Sequence, residues 1–154
     1  MAIRVQENDF DISAEIAALT AGDTTAGAVA SFIGKVRGTA GGQSLVSMTL
    51  EHYPGMTELE LEKIDVEARE RFKLSNSLII HRIGTLLPGD NIVLVITVAS
   101  HRGDAFSACE FLMDYLKTLA PFWKKETRAG REGVWVDARD GDDKAVERWQ
   151  SGKI

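Results

Sequence analysis

Cysteine is almost absent: Cys109 stands alone among 154 residues, which excludes an internal disulfide and a thiolate metal cluster. The three histidines, His52, His81 and His101, are widely separated and form no His-x-x-x-His pair, so no metal site is expected. No serine occupies a Gly-x-Ser-x-Gly elbow, which removes the signal for a serine hydrolase. The glycine-rich stretch Gly38-Thr39-Ala40-Gly41-Gly42 lacks the Gly-Lys-Ser/Thr ending of a phosphate-cradling loop. No apolar run approaches the roughly 18 residues a membrane helix needs. The start, Met1 to Val5, lacks the apolar core of a signal peptide, and cytoplasmic residence is the expectation.

What is present suits one folded domain spanning 1–154, with 44% hydrophobic and 27% charged residues. The net charge of −5 argues against general nucleic-acid or membrane binding. That charge is uneven. From Lys117 to Arg131 five cations face Glu126 alone, an excess of four, whereas Asp137 to Glu147 carries five acids against Arg139 and Lys144. A cationic patch on an acidic chain suggests a small anionic ligand or one acidic partner.

The chain is organised around residues 91–127. Ile92 to Ala99 is apolar and β-branched, short enough for a strand buried on both faces. It stops at Ser100-His101-Arg102-Gly103-Asp104. A helix is predicted next, with Phe106, Cys109, Leu112, Met113, Leu116 and Leu119 on its apolar stripe, and Pro121 ends it. Upstream, Ile3–Val5, 26–36, 45–52 and 78–83 read as strands. A helix starts at Asp11-Ile12-Ser13, and Thr57 with Glu60 reads as a capping box opening a second one to about Phe72. Val134–Val136 pairs with 123–127 as a hairpin, and 142–149 forms a short polar helix. The fold class is α+β.

Cys109 falls within an apolar stripe and reads as a buried, inert thiol. Lys117 lies about 80–100° from the stripe's centre, where its amine can reach a cleft. Lys124 follows Pro121 and two aromatics that fix its direction. Two amines held together, with Arg102 close by, would depress each other's pKa and yield a base or nucleophile; a solvated, snorkelling surface is the bland alternative. His101-Arg102, at a strand end leading into a helix N-terminus, suits phosphate or carboxylate, or simply caps the helix. Arg37 carries less signal, and His81-Arg82, with no helix start after it, reads as structural.

The blocks Phe32-Ile33-Gly34-Lys35-Val36-Arg37, Leu50-Glu51-His52-Tyr53-Pro54-Gly55-Met56-Thr57, His81-Arg82-Ile83-Gly84, Ser100-His101-Arg102 and Asp114–Lys117 through Ala120-Pro121-Phe122-Trp123-Lys124-Lys125-Glu126 resemble, in this order, the large catalytic subunit of molybdopterin synthase. The similarity runs from about Gly27 to Arg139. It implies an α/β hammerhead with an additional antiparallel β subdomain, and sulfur insertion into cyclic pyranopterin monophosphate. It further implies a small ubiquitin-like subunit delivering sulfur as a C-terminal thiocarboxylate, and a homodimer of large subunits within a heterotetramer, with no cofactor. By the same resemblance Lys117 and Lys124 are the catalytic pair. Arg37, His101 and Arg102 would hold phosphate and pterin, and Lys35, Val36, Lys125 and Glu126 would line the same pocket. Two other readings stay open: a non-catalytic docking module for the ubiquitin-like partner that the resemblance implies, and a single-strand nucleic-acid binder using Phe122, Trp123 and the lysines.

Overall fold

Every residue from 93 to 99 is buried in the strand β7 (Asn91–Ala99), and the fold is laid down on both of its faces. The structure, a computed structural model, describes residues 2–136 and 140–150; side chains at 40 and 140–142 are not described, and Arg139, where the expected similarity ends, lies outside it. β7 is flanked by β5 (Asn76–Arg82) and β2 (Ala28–Lys35), both antiparallel to it, and β1 (Ile3–Gln6) adds to β5 in parallel. Side chains alternate between the two faces of such a sheet. Ile79, Val93 and Val95 therefore meet the main helical layer, while Leu78, Ile80, Leu94, Ile96 and Val98 face Ile12, Ile16 and Leu19 of α1 (Ile12–Thr20).

The helical layer is α2 (Met56–Phe72), α3 (Arg102–Leu119) and α4 (Asp140–Gln150). Thr97 Oγ1 donates to the Ala105 carbonyl at 2.7 Å and pins the first turn of α3 to the sheet. A second, antiparallel sheet runs β3 (Thr39–Ala40), β4 (Gln43–His52), β8 (Phe122–Arg128), β9 (Val134–Val136), with β6 (Gly84–Leu86) also paired to β4. Val36, Met48, Leu50 and Leu86 form its small core. The α+β class holds. Among the described residues no helix is long and apolar enough to cross a membrane.

Several local expectations are corrected. The capping box of α2 is Gly55 with Glu58: Gly55 N–H donates to Glu58 Oε2 at 2.7 Å, and Gly55, at φ 85°, adopts the left-handed backbone that its missing Cβ permits. Thr57 is instead fully buried, its hydroxyl donating to the Pro121 carbonyl at 2.9 Å. Phe106 and Leu119, predicted on the buried stripe, are exposed, Leu119 as the last residue of α3 and Phe106 on its solvent side, opposite the covered Ala105 and Ala108; Phe111 and Tyr115 are buried in their place. The 38–42 loop is a tight hairpin turned by Gly41 and Gly42, both at positive φ. The tail helix is amphipathic rather than simply polar, since Val146 and Trp149 enter the main core.

Candidate active site

The last turn of α3 overhangs the seam between the two sheets, and a cavity of about 450 Å3 opens there. That size falls in the range of small-molecule sites. Phe32, Gly34 and Val93 of the first sheet form one wall, Met48, Leu50 and Phe122 of the second another, and Leu116 and Ala120 the roof. Polar groups enter from each side: Lys35 and Arg37 at the end of β2, Lys117 from α3, and Lys124 and Glu126 from β8.

Local sequence explains how both lysines arrive. Leu112 and Leu116 bury their side of α3, leaving Lys117 at the edge of the covered face. Pro121 cannot continue the helix, and a tight turn, closed by Phe122 N–H donating to the Ala120 carbonyl at 2.9 Å, leads directly into β8. The Thr57 hydroxyl holds that turn from α2. Alternation along β8 then sends Lys124 and Glu126 to the cavity side and Lys125 to the other. Lys117 makes no hydrogen bond or ion pair among the described residues, and Lys35 Nζ donates to Asn91 Oδ1 at 2.9 Å. Glu126 is a buried carboxylate amid these cations.

Thus the structure brings together five of the expected site residues: Lys35, Arg37, Lys117, Lys124 and Glu126. Val36 is buried in the small core beneath and Lys125 lies off the cavity wall. His101 and Arg102 begin α3, about 22 Å from Lys117 at 1.5 Å per residue. Arg102, expected near the lysine pair, therefore stands at the opposite end of the helix in the same chain. Phe122 is committed to an internal stack on His81, with centroids 3.8 Å apart, so it offers no platform for a nucleic-acid base.

Sequence reasoning set His81 aside, yet it lines the cavity. The signal was available in the alternation of β5, which puts His81 on the same face as Ile79. Its Nδ1 lies 2.8 Å from the Arg82 carbonyl. A carbonyl only accepts, so Nδ1 carries the proton. Burial pushes the ring's pKa down to about 4, the Nδ1 bond opposing this and the charges of Lys117 and His52 adding to it. A lowered histidine pKa means the unfolded chain binds the extra proton, so stability is full above pH 6.5 and is lost as pH falls towards 4. Unfolding at pH 7 and pH 5 should show the native chain losing about 1–2 kcal/mol more than His81→Gln. Equal losses would mean that His81 titrates normally.

The other unused reactive group is Cys109. Burial and the neighbouring Glu110 push its thiol up to about 11, which leaves it protonated and inert at neutral pH.

Fold and cavity together define a two-sheet α+β protein with a ligand-sized pocket walled by cations at the sheet junction. The model of the MoaE protein family matches residues 5–119. A molybdopterin synthase catalytic subunit from Ralstonia nicotianae is 58% identical over 147 residues, covering 96% of this chain and 83% of that protein. Among solved structures, the molybdopterin cofactor biosynthesis protein E from Burkholderia multivorans is similar at 55% identity and TM-score 0.82, over 97% of this chain and 96% of that one. Molybdopterin synthase from Staphylococcus aureus superposes at TM-score 0.82 with 28% identity, over 89% and 98%. The chain belongs to the MoaE family, as its sequence blocks had indicated, and its role is in molybdopterin synthesis.

Proposed function

We propose that the chain is the catalytic subunit of a molybdopterin synthase, moving sulfur from the thiocarboxylated C-terminus of a small ubiquitin-like subunit to cyclic pyranopterin monophosphate to build the dithiolene. The observation that carries this reading is one cavity holding Lys117 and Lys124 beside Arg37, in a chain whose single thiol is buried. A thiocarboxylate and a phosphorylated pterin are both anions, and the cationic wall suits both. The sulfur must come from elsewhere, as a carried thiocarboxylate allows.

Lys117 meets the thiocarboxylate end and assists attack or proton transfer, and Lys124 stabilises the developing negative charge. Arg37 and Lys35 hold the phosphate, with Glu126 on the same wall and Val36 and Lys125 supporting the strands that carry it. His101 and Arg102, being at the far end of α3, reach this cavity only from a second copy. That fits a central homodimer of large subunits in a heterotetramer with two small ones. We read 1–154 as one such domain, the α/β hammerhead with its added β subdomain, working in the cytoplasm.

The sulfur's origin is testable on Cys109. With purified pyranopterin and thiocarboxylated small subunit, Cys109→Ser should convert precursor as the native chain does. Loss of conversion with the fold preserved would point to an internal persulfide.

A further inference from the structure

The cavity's polar wall is dominated by donors: Lys35, Arg37, Lys117 and Lys124 carry ammonium or guanidinium groups, and none of these can accept a hydrogen bond. Such a wall fixes anionic oxygens but offers nothing to a ligand's own N–H groups. Two acceptors stand against it, the Glu126 carboxylate and the His81 ring. His81 is held on three sides. Its ring stacks on Phe122 at 3.8 Å and 18°, its Nδ1–H is committed to the Arg82 carbonyl, and its backbone is centred in the sheet between Val5 and Val93. With Nδ1 protonated, Nε2 bears the lone pair, and it has no hydrogen-bond partner among the described residues.

We infer that His81 is a substrate-binding residue, presenting Nε2 to the cavity as a fixed, neutral acceptor for an N–H donor of the ligand's heterocycle. This rests on the pyranopterin reading above and extends it: the cations take the phosphate, and His81 takes a ring amide or amine. The charged groups facing the imidazole, Lys117 from α3 and His52 from β4, disfavour its protonation, and burial does so more strongly. The acceptor is therefore intact at neutral pH. A neutral acceptor here discriminates between ligands. An anionic group alone gains nothing from it, and a heterocycle whose facing edge carries only acceptors is rejected.

Two substitutions separate the halves of the ring. His81→Asn keeps a donor near the Nδ1 position and removes the Nε2 acceptor, whereas His81→Gln places an amide oxygen near Nε2. The readouts, on full-length protein assembled with its small subunit, are the dissociation constant for cyclic pyranopterin monophosphate and competition by inorganic phosphate. His81→Asn should weaken pyranopterin binding about tenfold, the worth of one hydrogen bond in a covered site. Its competition by phosphate should match the native chain, and His81→Gln should recover most of the pyranopterin affinity. Native-like pyranopterin binding by His81→Asn, or equal weakening towards both ligands, overturns the inference while leaving the proposed function standing. Failure of the native complex to bind pyranopterin at all overturns both.

Discussion

Lys117→Ala is expected to suppress molybdopterin formation by at least about a hundredfold, the scale on which a positioned proton donor or charge-stabilising group contributes. The fold should be nearly untouched. Lys117 is exposed at the end of α3, forms no hydrogen bond or ion pair among the described residues, and would be replaced by the residue most favourable to helix. Binding of the small subunit should also persist, since a single amine at the cavity wall is a small part of a protein interface. The combination identifies a chemical role: unchanged thermal midpoint, unchanged pull-down, lost turnover. Normal turnover by this variant would remove Lys117 from the mechanism.

Phe111→Ala should produce the largest loss of stability, about 3–5 kcal/mol by the usual cost of deleting a buried aromatic ring. Phe111 is fully buried and sits where three elements meet. Its ring lies 5.5 Å from Phe72 of α2, 4.5 Å from Tyr115 of α3 and 5.3 Å from Trp149 of α4, with the Arg71 guanidinium 5.4 Å away. Edge-on and tilted ring contacts of this kind add to simple burial. For a chain of this size the thermal midpoint should drop by roughly 10 °C, and α4 should become the first segment to exchange its amide hydrogens. A midpoint within about 2 °C of the native chain would mean that the ring cluster is not the keystone of the helical layer.

The two substitutions divide α3 between its tasks. Its inward face holds the protein together, and its final turn carries the amine into the cavity. The sequence made the second task readable because Lys117 borders a clear apolar stripe and Pro121 forces a turn directly after it. Phe111 was less readable. The stripe drawn through Phe106 and Leu119 assumed one narrow buried face, whereas α3 is covered on two sides, by the sheet and by α2 and α4. Leu119 lies at its last residue, where that cover runs out, and Phe106 lies on its solvent side, while Ala105 and Ala108 meet the core.

The site itself was half legible. Lys117 and Lys124 are neighbours in sequence with a turn between them, so local rules bring them near each other. Glu126 follows Lys124 to the same side by the alternation of β8, whereas Lys35 and Arg37 join them through the meeting of two sheets, which local spacing cannot show; the family blocks supplied all three. His81 was passed over because no helix follows it, although what matters is the side of β5 on which it emerges. Thr57 was read as a cap because its spacing to Glu60 fits one, but its hydroxyl serves the Pro121 turn some sixty-four positions away. His101 and Arg102 show the reverse case. Their suitability for an anion was readable in sequence beside a capping role, and the length of α3 sets them about 22 Å along the helix from Lys117.

Sulfur provenance is the most direct trial of the whole account. The small subunit would be charged with 34S thiocarboxylate, mixed with the unlabelled chain and pyranopterin, and the product weighed by mass spectrometry. Both sulfurs of the dithiolene should carry the heavy isotope. Product containing light sulfur, or no sulfur at all, would contradict the claim that this chain inserts a sulfur it receives from a partner's terminus.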